Sequence, residues 1–294
     1  MIWFWLTLSS IFCFSSASII EKFIIEKHLP NYMIVTILSE IFYIISIMFL
    51  LFFVKIIIPP TNILLITLGA GILYFLAFIF YFKAVKLEEI SRISSLILSF
   101  NPLFVVLIAF IFLGEILTLN NYIGITLIII ASILISLRKK IKFELSPAFL
   151  LILFCALGIA AKGIMIKYVL DYINVWNAIF WEGVGAFLMA SPFILFYHKP
   201  LLKTILTNKK PVIYMSIPSI ASVIGDILLV FALSYQFVSL VASVGATQPI
   251  ITFSLMVLIS IFAPRILKEE IKRSTLITKA IAIVISIVGV LLVI

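Results

Sequence analysis

Residues 90–113 read ISRISSLILSFNPLFVVLIAFIFL, with no charged side chain after Arg92. A helix that crosses a bilayer needs about 20 mainly apolar residues, whereas a barrel strand needs about 10 and alternates in polarity. This run is too long and too uniformly apolar for a strand, so it reads as a membrane-spanning helix. Its middle carries Asn101-Pro102, a polar residue and a helix interrupter together. Proline removes a backbone donor and frees a carbonyl one turn earlier.

Runs of the same kind fill the chain, at approximately 2–20, 33–54, 62–82, 90–113, 119–137, 147–170, 174–197, 211–232, 236–263 and 275–294. They are separated by turn-forming clusters such as Leu29-Pro30-Asn31, Pro59-Pro60-Thr61-Asn62, Asn120-Asn121, Ser146-Pro147 and Lys209-Lys210-Pro211. Of 294 residues, 65% are hydrophobic and 11% charged, and the mean hydropathy is +1.36. Soluble domains run nearer half apolar and a quarter charged, so the solvent for most of this chain is lipid. The expected fold class is an all-α integral membrane protein with ten transmembrane helices. The first run lacks the basic start and small-residue cleavage site of a signal peptide, and reads as a retained helix.

A repeat is visible. A shift of 142 residues places Cys13 on Cys155 and Glu40 on Glu182, and a shift of 147 places Asn101-Pro102 on Gln248-Pro249. Residues 1–142 and 143–294 therefore read as two related units of five helices. Five is odd, so the second unit is expected to cross the membrane inverted, a construction that carriers use with a solute site near the midplane. Of the 21 basic residues, 18 flank or occupy the odd-numbered links between runs; only Lys55, Lys162 and Lys167 do not. Basic loops mark the cytoplasmic side, which puts both termini outside and the protein in the cell membrane.

The motifs resemble those of the drug/metabolite transporter superfamily, in particular its EamA-like members. The resemblance rests on Phe82-Lys83-Ala84-Val85, the serines Ser91, Ser94, Ser95 and Ser99, Asn101-Pro102, and Leu113-Gly114-Glu115 followed by Thr118 and Gly124. A partial second copy runs through Phe231-Ala232-Leu233, Ser239, Ala242, Ser243, Gln248-Pro249 and Val288-Gly289-Val290-Leu291. The second unit lacks Leu-Gly-Glu: Phe262 stands at that position, and Glu269 and Glu270 come later. Relatives commonly carry an arginine where this chain has Glu40 and Glu182, and usually have their termini inside. The resemblance implies a ten-helix carrier that moves metabolites, amino acids or drugs by alternating access. The sequence shows no Walker-type Gly-rich loop, so no cofactor is expected and the chain does not read as an enzyme.

Ionisable residues inside apolar runs are expensive and face a cavity or a partner. Glu40 and Glu182, matched by the repeat, are expected to line one central cavity and to bind a cationic solute group or a coupling proton. Asp226 and Lys162 lie deep in the eighth and sixth runs, either as a buried pair or as solute contacts. Asn101 and Gln248 are expected cavity ligands, Pro102 and Pro249 mid-helix breaks that permit bending, and Trp181 a stacking surface. The remaining serines read as helix-packing residues. Cys13 and Cys155 are small hydrophobes within apolar runs, and His28 and His198 are too isolated for a metal site.

The expected partners are a small-molecule substrate and the lipid bilayer. A net charge of +9 confined to short links offers no basic face for nucleic acid. A monomer suffices for the two-unit design, and the sequence leaves the oligomeric state open. The competing class, an intramembrane enzyme acting on lipid, would set several His, Asp or Arg residues together at the interface, and the chain has no such cluster.

Overall fold

The computed structural model describes residues 1–29, 31–85, 87, 90–136, 147–262 and 273–294. The link residues Lys86, Arg138, Lys139, Lys140, Lys142, Arg265, Lys268, Glu269, Glu270 and Lys272, and the boundary between the two units, lie outside them. All regular structure among the described residues is helical. The helices are α1 (Ile2–Lys27), α2 (Tyr32–Met48), α3 (Thr61–Val85), α4 (Ile90–Phe112), α5 (Leu119–Ser136), α6 (Pro147–Val169) and α7 (Val175–Phe196). The short α8 (His198–Thr207) and α9 (Lys209–Tyr214) follow, then α10 (Ser216–Tyr235), α11 (Val238–Gly245), α12 (Gln248–Phe262) and α13 (Arg273–Val293). A 3₁₀ turn, Phe49–Phe52, extends α2.

Helix is what lipid demands, because hydrocarbon offers no partner to a backbone N–H or C=O. Among the described residues six apolar segments are long enough to cross a bilayer: Ile2–Ile25, Thr61–Ala84, Pro147–Val169, Val175–Phe196, Lys209–Tyr235 and Val238–Phe262. Four shorter apolar helices, Tyr32–Met48, Leu96–Phe112, Leu119–Leu134 and Ala280–Val293, occupy the other expected runs. Hydroxyls within the runs turn back on their own helices. Thr7, Ser16, Ser18, Ser46 and Thr67 each donate to the carbonyl four residues earlier, which removes the cost of a bare hydroxyl in hydrocarbon. Large side chains such as Phe110, Phe112, Phe196 and Leu291 stay exposed on the outside of the bundle, as suits a lipid-facing surface.

Three boundaries differ from the sequence reading. The first helix continues past Ile20 to Lys27, because the polar Glu21 faces inward and does not end it. The eighth run is split at Met215 into α9 and α10, and the ninth at Ala246-Thr247 into α11 and α12. Pro249 therefore is not a mid-helix break. It occupies the first turn of α12, where a missing N–H leaves no bond unmade.

The packing has an exchange pattern. Helix α1 packs on α10 and α12, while α6 packs on α3 and α4. Helix α2 packs on α10, while α7 packs on α3; α2 meets α7 and α5 meets α13. Interchanging the units maps each of these pairings onto another or onto itself. Small residues set the closest approaches, as is usual where lipid offers no hydrophobic drive between helices. A Cβ on Gly124 would lie 2.6 Å from the Gly289 carbonyl oxygen, and one on Gly289 would lie 2.8 Å from that of Gly124. The α5–α13 contact is thus backbone on backbone. Likewise Gly71 and Gly185 bring α3 against α7 with no room for side chains.

Candidate functional site

Between α1, α3, α4, α6, α10, α11 and the start of α12 lies a cavity of about 240 Å³. Its wall is mostly apolar, with polar groups at a few points. Glu21, Ser10 and Asn101 come from the first unit, and Lys162, Asp226 and Gln248 from the second. Tyr74, Phe78 and Tyr81 of α3 supply an aromatic side. Concave, largely apolar walls with few convergent polar groups are the usual architecture of a small-molecule site.

The charge on this wall is organised by one cation. Lys162 Nζ lies 2.8 Å from Asp226 Oδ1 and 2.9 Å from Glu182 Oε1. It sits over the Tyr74 ring at 5.0 Å from the centroid, a position favoured by the negative face of the ring. The second oxygen of Asp226, Oδ2, accepts from Tyr43 Oη at 2.7 Å. Asp226 is therefore satisfied on both oxygens. Glu182 is fully buried, and its contact with Lys162 is an ion pair without the alignment of a hydrogen bond. Its Oε2 has no hydrogen-bond partner among the described residues. One ammonium thus serves two carboxylates, and the cluster ties α6 to α7 and α10.

Beside this cavity lies a second, much smaller pocket of about 20 Å³. It is bounded by Glu21 of α1, by Ser39, Glu40 and Tyr43 of α2, by Tyr74 of α3, and by Ser219 and Ser222 of α10. Glu21, Tyr74, Phe78 and Ser222 border both spaces. Glu40 is 5% exposed, and its Oε1 has no hydrogen-bond partner.

The sequence-chosen residues are thus distributed unevenly. Lys162, Asp226, Asn101 and Gln248 line the large cavity, and Asn101 also donates to the Ala156 carbonyl at 3.3 Å. Glu40 and Glu182 do not share one cavity: Glu40 borders the small pocket, and Glu182 lies behind Lys162 and lines neither space. Trp181 borders neither, because its Nε1 donates to the Ile57 carbonyl at 2.9 Å in the link between α2 and α3. Pro102 lies inside α4 one residue after Asn101.

One important residue is absent from the sequence reading, and another enters it only as part of a family motif. Glu21 borders both spaces and follows the apolar run by one position, which is the signal that could have exposed it. Glu115 is 4% exposed and caps the start of α11. Its Oε1 accepts from Val238 N at 2.7 Å, and its Oε2 accepts from Ser239 N at 3.1 Å and Ser239 Oγ at 2.6 Å. A carboxylate on a helix N-terminus meets both free N–H groups and the positive end of the dipole. Gly114, at φ +65, makes the turn that delivers it, a conformation cheap only for glycine. The Leu-Gly-Glu motif thereby clamps the link after α4 to the start of α11.

Comparison with known proteins matches the first part of the chain to a family of transporters. Residues 1–137 match the EamA-like transporter family. The match spans a little less than half of the chain. The EamA-like family is one of membrane transporters, and the apolar helices make this chain a multi-pass membrane protein. No curated protein matches the sequence. A solved protein crystal structure superposes with a TM-score of 0.67 at 18% identity, covering 98% of this chain and 96% of its own. At that identity the likeness concerns the fold alone, and it extends over nearly the whole chain.

Proposed function

We propose that this EamA-like chain is a secondary carrier of a small organic solute bearing an amine or other cationic group. It works by alternating access, with ten spans arranged as two inverted repeats, 1–142 and 143–294. The observation that carries the reading is the cavity of about 240 Å³ walled by both units, in which Lys162 is held by Asp226. An apolar and aromatic wall suits the body of a metabolite. The described side chains that line the two spaces carry one ammonium, Lys162, and the three carboxylates Glu21, Glu40 and Asp226, and Glu182 adds a fourth carboxylate behind Lys162. That balance favours a positively charged partner and repels anions. The exchange pattern of helix pairings supports the inverted repeat, since packing that survives interchange of the units is what a two-fold relation produces.

Transport follows from this arrangement. The solute enters from one side, its cationic group competes with Lys162 for Asp226, and the units rock about their shared contacts to open the other side. Excess carboxylate also supplies positions for a coupling proton or for an exchanged cation. Basic residues at the odd links put those links in the cytoplasm and both termini outside.

The test is solute flux in proteoliposomes. Saturable counterflow of an amine-bearing solute, reduced in Asp226→Asn, is the expected result. Flux that does not saturate, or turnover of a labelled lipid without flux, overturns the proposal. A cysteine introduced at Lys140 that labels from outside overturns the orientation.

A further inference from the structure

We propose that the small pocket enclosed by α1, α2, α3 and α10 is a binding site for one monovalent hard cation of the size of Na⁺, separate from the solute cavity. Four observations meet there. Glu21 and Glu40 both border the pocket, and they are only 8% and 5% exposed. Glu40 Oε1 and Ser39 Oγ are buried oxygens that have no hydrogen-bond partner. Such atoms are rare in folded proteins and signal a missing ligand, ion or water. The empty space is about 20 Å³, enough for a single particle, since one water-sized sphere needs roughly 10–15 Å³. The border is rich in oxygen: two carboxylates with the hydroxyls of Ser39, Ser219, Ser222 and Tyr74.

The chemistry of that oxygen set narrows the occupant. Among the described residues no group of three or more His, Cys, Asp or Glu side chains could hold a metal ion, so the charge density that a divalent or transition metal requires is missing. Two carboxylates and several hydroxyls suit a singly charged hard cation instead, since hard cations take oxygen ligands. A proton neutralises one carboxylate but leaves the space of about 20 Å³ unfilled. Water alone fills the volume but leaves the charge. Lys162 is committed to Asp226 and Glu182, and no described cation pairs with Glu21 or Glu40. Uncompensated buried carboxylates are costly, and a bound cation removes that cost.

The pocket also has a route to the solute. Glu21, Tyr74, Phe78 and Ser222 are common walls of the two spaces, so filling one changes the charge and shape of the other. Occupancy of the pocket therefore sets the field felt by a cationic solute. A cation in the small site would weaken solute binding, as an exchange partner does.

The measurement is thermal unfolding of the purified full chain in detergent, with no solute present, as NaCl replaces choline chloride at constant ionic strength. The wild type is expected to show a saturable rise in Tm with Na⁺, because a ligand bound only by the folded state stabilises it. Glu40→Gln is expected to abolish that rise, and Ser39→Ala to shift its midpoint to higher Na⁺. Binding of radioactive Na⁺ to Ser39→Ala and to wild type gives the same comparison if Glu40→Gln fails to fold. A wild-type Tm that is the same in NaCl and choline chloride overturns the proposal and leaves a water site. So does a Na⁺ response that persists unchanged in Glu40→Gln, which would place the ion elsewhere. The readout needs no transport, so loss of the solute reading and loss of this site are separately detectable.

Discussion

Glu115 offers the sharpest handle on how the two units are held. Its carboxylate accepts three hydrogen bonds from Val238 and Ser239, at 2.7, 3.1 and 2.6 Å. Two of the donors are N–H groups at the start of α11, which have no partner within their own helix. Glu115→Gln keeps one carbonyl oxygen for Val238 N but points an amide N–H₂ at Ser239, so two bonds and the charge are lost. At about 1–2 kcal/mol for each bond, the clamp weakens by roughly 2–4 kcal/mol. A change of about 2.8 kcal/mol is a hundredfold shift between closed and open arrangements. The residues clamped lie at the fourth and eighth links, so the variant is expected to open the cavity from that face. Cys155 lines the cavity and is 1% exposed, which makes it a native reporter once Cys13 is replaced by Ala. In sealed vesicles, a membrane-impermeant thiol reagent applied to the face of the even links should label Cys155 faster in Glu115→Gln than in the parent. Equal labelling rates, with Tm unchanged, would refute the view that this carboxylate holds the face shut.

Three further expectations follow from the packing. Lys162→Met strips the shared counter-charge from Asp226 and Glu182 and should lower stability by about 3–5 kcal/mol. Adding Asp226→Asn and Glu182→Gln should recover most of that loss in thermal melts, and failure to recover it would mean that the lysine acts through packing. Gly124→Leu places a side chain where the Gly289 carbonyl already sits, so the variant should lose its monodisperse elution profile; a normal profile would show that α5 and α13 can part. Trp181→Phe removes one hydrogen bond to Ile57, worth about 0.5–1.5 kcal/mol. It should lower Tm slightly and leave the KM for solute unchanged, whereas a raised KM would return Trp181 to the solute path.

The helical membrane class was readable because lipid imposes a length and a polarity that few other solvents demand. Deep polar residues were readable for the same reason: Lys162 and Asp226 stand out against apolar neighbours, and they meet in space. What a single run cannot disclose is which neighbour a side chain will find. Glu182 reads in the sequence as a wall residue, yet its position on α7 directs it to Lys162. Trp181, one residue earlier, turns to the link after α2, because Asn177 and Trp181 together hold the Ile57 backbone at 2.7 and 2.9 Å. Glu115 is legible only as part of a motif, because its partners are 123 and 124 residues away. Glu21 hides at a boundary: the apolar run ends at this carboxylate in the sequence, whereas a carboxylate facing inward leaves the helix intact. The Asn101-Pro102 and Gln248-Pro249 pairs look alike in sequence, but the second proline starts a helix where the first lies within one.

The backbone contact of Gly124 with Gly289 bears on how such a chain could be assembled. It joins the last helix of each unit, and each glycine is the surface that the other requires. A seam of that kind is self-matching, as in a pair of identical subunits, and it needs no covalent link to define its register. Two separately translated pieces, one ending before and one beginning after residues 137–146, would carry this seam intact. Co-expression of the pieces as a split protein should therefore restore a stable whole, with the glycine seam as the place where they first lock.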